Sequence, residues 1–310
     1  MPIRLAVLAG VISVLLAGCT TSDVEDKLRF GWPTGVTKQA HRMRELWTWS
    51  SVAALIVGVV VWGLIFWCCG RYYKRDSEEL PRQTKYNLPL EIGYTIVPFL
   101  IIAGLFYFTV RTEDYVNKTA DPDVQVQVNA FKWNWQFEYL NYRDPQTHQV
   151  VTTKYPGSAG NVQTVGTSSE IPVLVIPSGV RVLIHEHALD VIHSFWVPEF
   201  LFKRDVIPYG GDTSRDNKFE ITATSEGAYV GRCAELCGTY HSQMNFQVTV
   251  VSMQKFQAYV QKLASIGPDN PARQSIALQS IGQPPCATTT YPFNTDRRAR
   301  AASEQTGVCG

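Results

Sequence analysis

Residues 124–139 read V-Q-V-Q-V-N-A-F-K-W-N-W-Q-F-E-Y, apolar and polar side chains alternating except at Ala130-Phe131. A period of two puts successive side chains on opposite faces of a strand, so the run reads as β-structure, with Phe131, Trp133, Trp135, Phe137 and Tyr139 clustered together. Outward from it, similar short runs follow: I-P-V-L-V-I-P (171–177), R-V-L-I-H-E-H (181–187), K-F-E-I-T-A-T (218–224), G-A-Y-V-G-R (227–232) and F-Q-V-T-V-V (246–251). Short strands punctuated by Gly and Pro, with no helical pattern before about 253, predict an all-β sandwich or barrel over 120–262. A short helix is expected at 253–265. Residues 141–170 are polar and rich in Gly, Ser and Thr, which predicts a surface loop. From 263 to 310 the composition predicts an extended tail without a core of its own.

Upstream the chain changes character. Residues 5–18 form a short apolar stretch after Arg4 that ends in small residues before Cys19, the pattern of a secretory signal, too short to span a bilayer. L-A-G-C resembles the bacterial lipoprotein signal with Cys19 as the lipidated residue; an ordinary cleaved signal is the alternative. Residues 48–69 carry no charge, and 88–110 carry one carboxylate, Glu91; both are long enough to cross as helices. The linker 71–87 holds five basic residues and is placed in the cytoplasm by the positive-inside tendency. Lys27, Arg29, Lys38, Arg42 and Arg44 make charge counting nearly even, so the secretion signal decides: the N-terminus and everything after 111 face outward. Cys68 and Cys69 end the first span on the opposite side.

The chemistry lies in C-A-E-L-C-G-T-Y-H-S-Q-M, residues 233–244. Cys233, Cys237, His241 and Met244 are soft donors that suit copper. A mononuclear blue-copper site uses one Cys; a second thiol four residues away predicts a binuclear site with both sulfurs bridging. A second imidazole is needed. His193, ahead of S-F-W-V-P, is the best candidate, while His185 and His187 form an H-x-H pair on one face of a strand, read as a surface pair. Cys286 and Cys309 lie in the tail on the oxidising side, where a disulfide between them is plausible. The net charge of +1 offers no case for nucleic acid.

Taken together, a two-span hairpin followed by W-N-W-Q-F-E-Y, D-V-I-H-S-F-W-V-P and C-A-E-L-C-G-T-Y-H-S-Q-M resembles the subunit II family of haem–copper cytochrome c oxidases, over roughly residues 45–255. The lipoprotein signal, the 141–170 segment and the tail resemble actinobacterial elaborations. The resemblance implies a membrane α-helical hairpin with a cupredoxin-like Greek-key domain holding two copper ions, the copper A centre. It implies that Cys233 and Cys237 bridge the ions, that His193 and Met244 complete one, and that His241 and the Glu235 backbone carbonyl complete the other. The Glu235 carboxylate would hold Mg2+ with subunit I, Trp133 would receive electrons, and Glu91 would stand at the mouth of a proton channel. Implied partners are subunits I and III, membrane lipids, and cytochrome c, either soluble or as a membrane-bound domain in a supercomplex with a bc-type complex.

Asp190, Glu199, Asp205 and Asp212 match the family's acidic docking region, but Lys203 and Arg204 interrupt it, which weakens the case for a soluble basic donor. No C-x-x-C-H haem motif occurs, so the donor is another polypeptide. Competing readings are a membrane-tethered copper-delivery protein, a quinol oxidase subunit, which lacks the copper ligands, and a nitrous-oxide-reducing enzyme, for which six histidines are too few. The expected location is a bacterial plasma membrane.

Overall fold

The computed structural model describes residues 29, 31–73, 83–208 and 217–290. The signal segment 1–18, Cys19, Asp212 and Cys309 lie outside the described residues.

Two long helices come first. Helix α1 (Lys38–Arg71) and helix α2 (Leu88–Val116) are both long and apolar enough to cross a membrane. Helix α1 begins ten residues before the expected span, because Thr37 caps it: its Oγ1 accepts from Ala40 N at 2.9 Å. Helix α2 opens with a reciprocal cap. Asn87 Oδ1 accepts from Leu90 N, and Glu91 Oε1 accepts from Asn87 N at 3.1 Å.

The second unit is a two-sheet sandwich. One sheet runs β3 (Val150–Thr152), β2 (Asn134–Arg143), β1 (Val124–Phe131), β6 (Val182–Ala188), β9 (Asn217–Ile221), with β4 (Val162–Val165) also pairing β2. The other runs β5 (Val173–Pro177), β11 (Asn245–Val251), β10 (Gly227–Cys233), β7 (His193–Val197), β8 (Phe202–Val206). The β1–β6 and β5–β11 pairs are parallel, so the chain crosses between the sheets rather than meandering.

The stretch 124–139 is two strands, not one. A two-residue turn at Lys132–Trp133 joins β1 to β2, with Phe131 opposite Asn134. The buried positions change parity there, from Val124, Val126, Val128 and Ala130 to Trp135, Phe137 and Tyr139. The turn resets the pleat so that both strands keep an apolar inner face. Trp135 is fully buried, its ring 5.0 Å from Phe246 and 6.0 Å from Phe195, edge-on to both. This aromatic cluster ties the two sheets together.

Two expectations are corrected. Residues 141–170 are not a bare loop: β3 and β4 extend the first sheet, and Tyr155, Val162 and Thr164 are buried. Nor is the chain after 263 simply extended. Helix α3 (Met253–Ile266), capped by Ser252, buries Phe256, Tyr259, Val260 and Leu263. Helix α4 (Arg273–Ser280) then packs Ala277 and Leu278 into the core. Its Gln274 is buried yet satisfied: Oε1 accepts from Val173 N at 2.8 Å and Nε2 donates to Ile171 O at 3.0 Å. A side-chain amide therefore caps the backbone of β5, a strand on the outside of its sheet.

Candidate metal centre

Three backbone segments converge at one rim of the sandwich. Strand β7 starts with His193, strand β10 ends with Cys233, and the loop 234–244 returns to β11 through a 3-10 turn at His241–Gln243. Backbone bonds hold the convergence: Cys233 N donates to Met244 O (3.0 Å), Ala234 N to Ser194 O (3.0 Å) and His241 N to Gly238 O (3.1 Å). Trp135 Nε1 donates to Met244 O at 3.3 Å, so the core reaches directly under the loop.

Cys233 Sγ and Cys237 Sγ lie 3.7 Å apart. His193 Nδ1 is 3.9 Å from Cys233 Sγ, and His241 Nδ1 is 3.5 Å from Cys237 Sγ. Met244 Sδ stands 3.8 Å from Cys237 Sγ, and the Glu235 carbonyl oxygen 3.3 Å from Cys233 Sγ. His193 and Met244 are fully buried, and both thiols nearly so. Among the described residues, the donor atoms of His193, Cys233 and Cys237 all lie within 4.8 Å of one another.

The donor set fits copper. Thiolate, imidazole and thioether are its preferred ligands. Burial pushes the Cys237 thiol up to about 12, and the adjacent Cys233 adds to the rise. Thiols bind a metal ion as thiolates, so their protons leave when the cation enters. His193 is poised for that role, because its Nε2 faces Asp190 Oδ1 at 2.8 Å. With the ring proton on Nε2, the Nδ1 lone pair is left toward the sulfurs.

Asp190 is the residue whose part here the sequence reading did not anticipate. It stands three positions before His193, a D-x-x-H spacing that was available as a signal. Burial works to raise its carboxyl, but hydrogen bonds from His193, Lys132 N and Val191 N outweigh that and hold it below the ordinary carboxylate value.

Trp133 does not share a strand face with Trp135. It sits half-buried in the β1–β2 turn, with Nε1 donating to Cys237 O at 3.3 Å and its ring edge-on to Tyr240 at 4.9 Å. Gly238 (φ +120°) makes that approach possible: a Cβ there would stand 3.3 Å from the indole. His185 and His187 lie half-buried on the other side of β6 from Glu186, outside the His193–Cys233–Cys237 group. Cys68 and Cys69 are exposed on α1, and Glu91 lies in the first turn of α2. Cys286 is disulfide-bonded.

Residues 124–251 match the family model described as cytochrome C oxidase subunit II, periplasmic domain. The "Probable cytochrome c oxidase subunit 2" of Nocardia farcinica is 48% identical over an alignment of 342 positions, covering 96% of this chain and 89% of the relative. The chain belongs to the cytochrome c oxidase subunit II family. A second relative, "Cytochrome c oxidase subunit 2" of Mycobacterium tuberculosis H37Rv, is 43% identical and covers 98% of this chain and 92% of its own length. Both are actinobacterial, as the resemblance implied. A crystal structure of the periplasmic domain of subunit II (CoxB) of Bradyrhizobium japonicum overlaps 48% of this chain and 99% of its own, with 25% identity and a TM-score of 0.35. The subunit II family accounts for both halves of the chain: two helices fit to anchor it in a membrane, and a cupredoxin-like domain of the copper A type.

Proposed function

We propose that this subunit II chain accepts electrons from a cytochrome c and passes them to haem in subunit I, where O2 is reduced to water and protons are pumped. The observation that carries the reading is the convergence of two thiols, two imidazole Nδ1 atoms and one thioether at separations of 3.5 to 3.9 Å. Cys233, Cys237, His193, Met244, His241 and the Glu235 carbonyl would together hold two copper ions. Bound copper supplies one-electron redox chemistry. The chain's own part is to hold the donors still: the sandwich rim, the loop hydrogen bonds and the buried Trp135 keep the ligand positions nearly fixed between charge states.

The Trp133 indole, half-buried and bonded to the Cys237 carbonyl, offers a short path from a docked donor to the thiol loop. The carboxylate of Glu235, from the residue between the bridging thiols, would take Mg2+ together with subunit I. Glu91, near the start of a membrane helix, would open a proton path. Subunit III, a supercomplex with a bc-type complex and a bound cytochrome c domain as donor belong to the same reading. So do a bacterial plasma-membrane location with the N-terminus and copper domain outside, a lipidated Cys19 and a Cys286–Cys309 bridge.

The deciding experiment is an EPR spectrum of the purified, copper-loaded chain. One unpaired electron shared over two equivalent coppers is expected; a four-line mononuclear signal would sink the proposal. Co-purification with a large haem-bearing subunit separates an oxidase from a copper-delivery protein.

A further inference from the structure

We propose that Asp190 is a positioning residue that sets the copper-side imidazole and the Trp133 turn with one carboxylate, a role beyond that of a surface charge. The proposal rests on the copper reading above. Asp190 Oδ1 accepts from His193 Nε2 at 2.8 Å and from Val191 N at 2.7 Å. Oδ2 accepts from Lys132 N at 2.8 Å. Lys132 is the turn residue that precedes Trp133, so the second oxygen grips the very turn that carries the indole. The adjoining Leu189 N donates to Ala130 O at 2.8 Å, holding the same segment against the end of β1.

These contacts close a ring. From Asp190 the path runs through His193 Nδ1 to Cys233 Sγ (3.9 Å), across to Cys237 Sγ (3.7 Å), and along Cys237 to its carbonyl, which accepts from Trp133 Nε1 (3.3 Å). Lys132 N then returns it to Asp190. Three donors converge on the carboxylate, one imidazole and two backbone amides. A carboxylate accepts on both oxygens, whereas an amide would turn an N–H toward one of these donors. Partners that orient a metal-ligating His from outside typically change metal affinity or activity about 10- to 100-fold when removed.

The competing explanation is that Asp190, whose side chain is 31% exposed, is only an acid that attracts a basic donor. The two roles separate by salt. A docking charge acts through a field that is screened within about 3 Å at 1 M salt, while a hydrogen bond to a buried imidazole is not screened.

The test uses the purified oxidase complex with wild-type chain, D190A, D190N, the charge control D205N, W133F and the double variant D190A/W133F. Copper content, histidine hyperfine couplings, reduction potential and the rate of electron input from a cytochrome c donor are measured at low and high salt. D190A is expected to shift the hyperfine couplings and the potential, and to slow electron input about tenfold at both salt levels. D190N, which keeps the side-chain volume and loads copper, shifts the couplings in the same sense by less. D205N loses whatever deficit it has at high salt, and D190A/W133F is no slower than W133F, as expected of members of one unit. Wild-type couplings in both Asp190 variants, with a deficit that vanishes at high salt, would overturn the proposal. A wild-type complex lacking the dinuclear signal would overturn the copper reading itself, and that result appears in a different sample.

Discussion

At Glu91 a single carboxylate meets two demands. It caps the first turn of α2 by accepting from Asn87 N, and it is the lone charged side chain of the expected span 88–110. Glutamine can accept the same hydrogen bond but cannot ionise, so Glu91→Gln separates the roles. Turnover of the assembled oxidase is expected to fall while the copper spectrum and the helix content stay as in the wild type. Unchanged turnover would leave Glu91 as a cap alone. Four of the soft donors that the fold gathers at the rim were visible in advance, because C-x-x-x-C-x-x-x-H-x-x-M lies within a single loop, whereas His193 comes from a remote strand. Asp190 was legible only as an acid, since the sequence does not tell which nitrogen of His193 meets it or that Lys132 comes within reach.

On the scale of elements, the instructive case is α4. Its two buried polar residues, Gln274 and Ser275, make it look unable to pack, and composition alone predicts an extended tail. Burial is tolerated because each polar group finds a partner: Gln274 bonds Val173 N, Ile171 O and Glu170 Oε1, and Ser275 Oγ donates to Ala272 O. Gln274→Ala leaves the Val173 N–H buried and unpaired, which costs about 1–3 kcal/mol. Thermal unfolding of the copper-free chain should show that loss as a lowered Tm, with the copper spectrum unchanged after reloading. An unaltered Tm would mean that water replaces the amide. The β1–β2 hairpin shows the opposite difficulty. Its alternating pattern was clear, but its one break, at Ala130-Phe131, was not enough to mark a turn, because Lys132 and Trp133 carry neither the Gly nor the Asn that usually signals a tight one.

For the molecule as a whole, a buried carboxylate, Glu186, predicts that stability depends on pH. Glu186 is 2% exposed on the inner face of β6; Asn217 Nδ2 donates to its Oε2 at 3.0 Å, and Oε1 has no partner among the described residues. Burial raises its pKa well above the ordinary value; Arg204 opposes the rise and Asp205 adds to it. The folded state therefore holds this proton more tightly than the unfolded chain does. Its contribution is fully present below the unfolded carboxylate pKa of about 4.3 and is lost as pH rises toward the folded value. Glu186→Gln should flatten that decline and raise the Tm at pH 8 relative to wild type, read from Tm against pH between 5 and 8. Parallel curves for the two proteins would exclude Glu186 as the source.

What the sequence determined by itself was whatever depends on order and periodicity: two apolar runs long enough to span, strands of period two, and soft donors packed into twelve consecutive positions. These are local properties, and local spacing suffices to express them. Tertiary structure decided the rest. It brought His193, forty residues upstream, to 3.9 Å from Cys233, moved Trp133 out of the core onto the thiol loop, and joined Asp190 to His193 and to the backbone of Lys132 beside Trp133. Those distances follow from strand pairing and from a turn that inverts the pleat, and pairing between remote segments is set by the packing of the whole core rather than by any one stretch of chain.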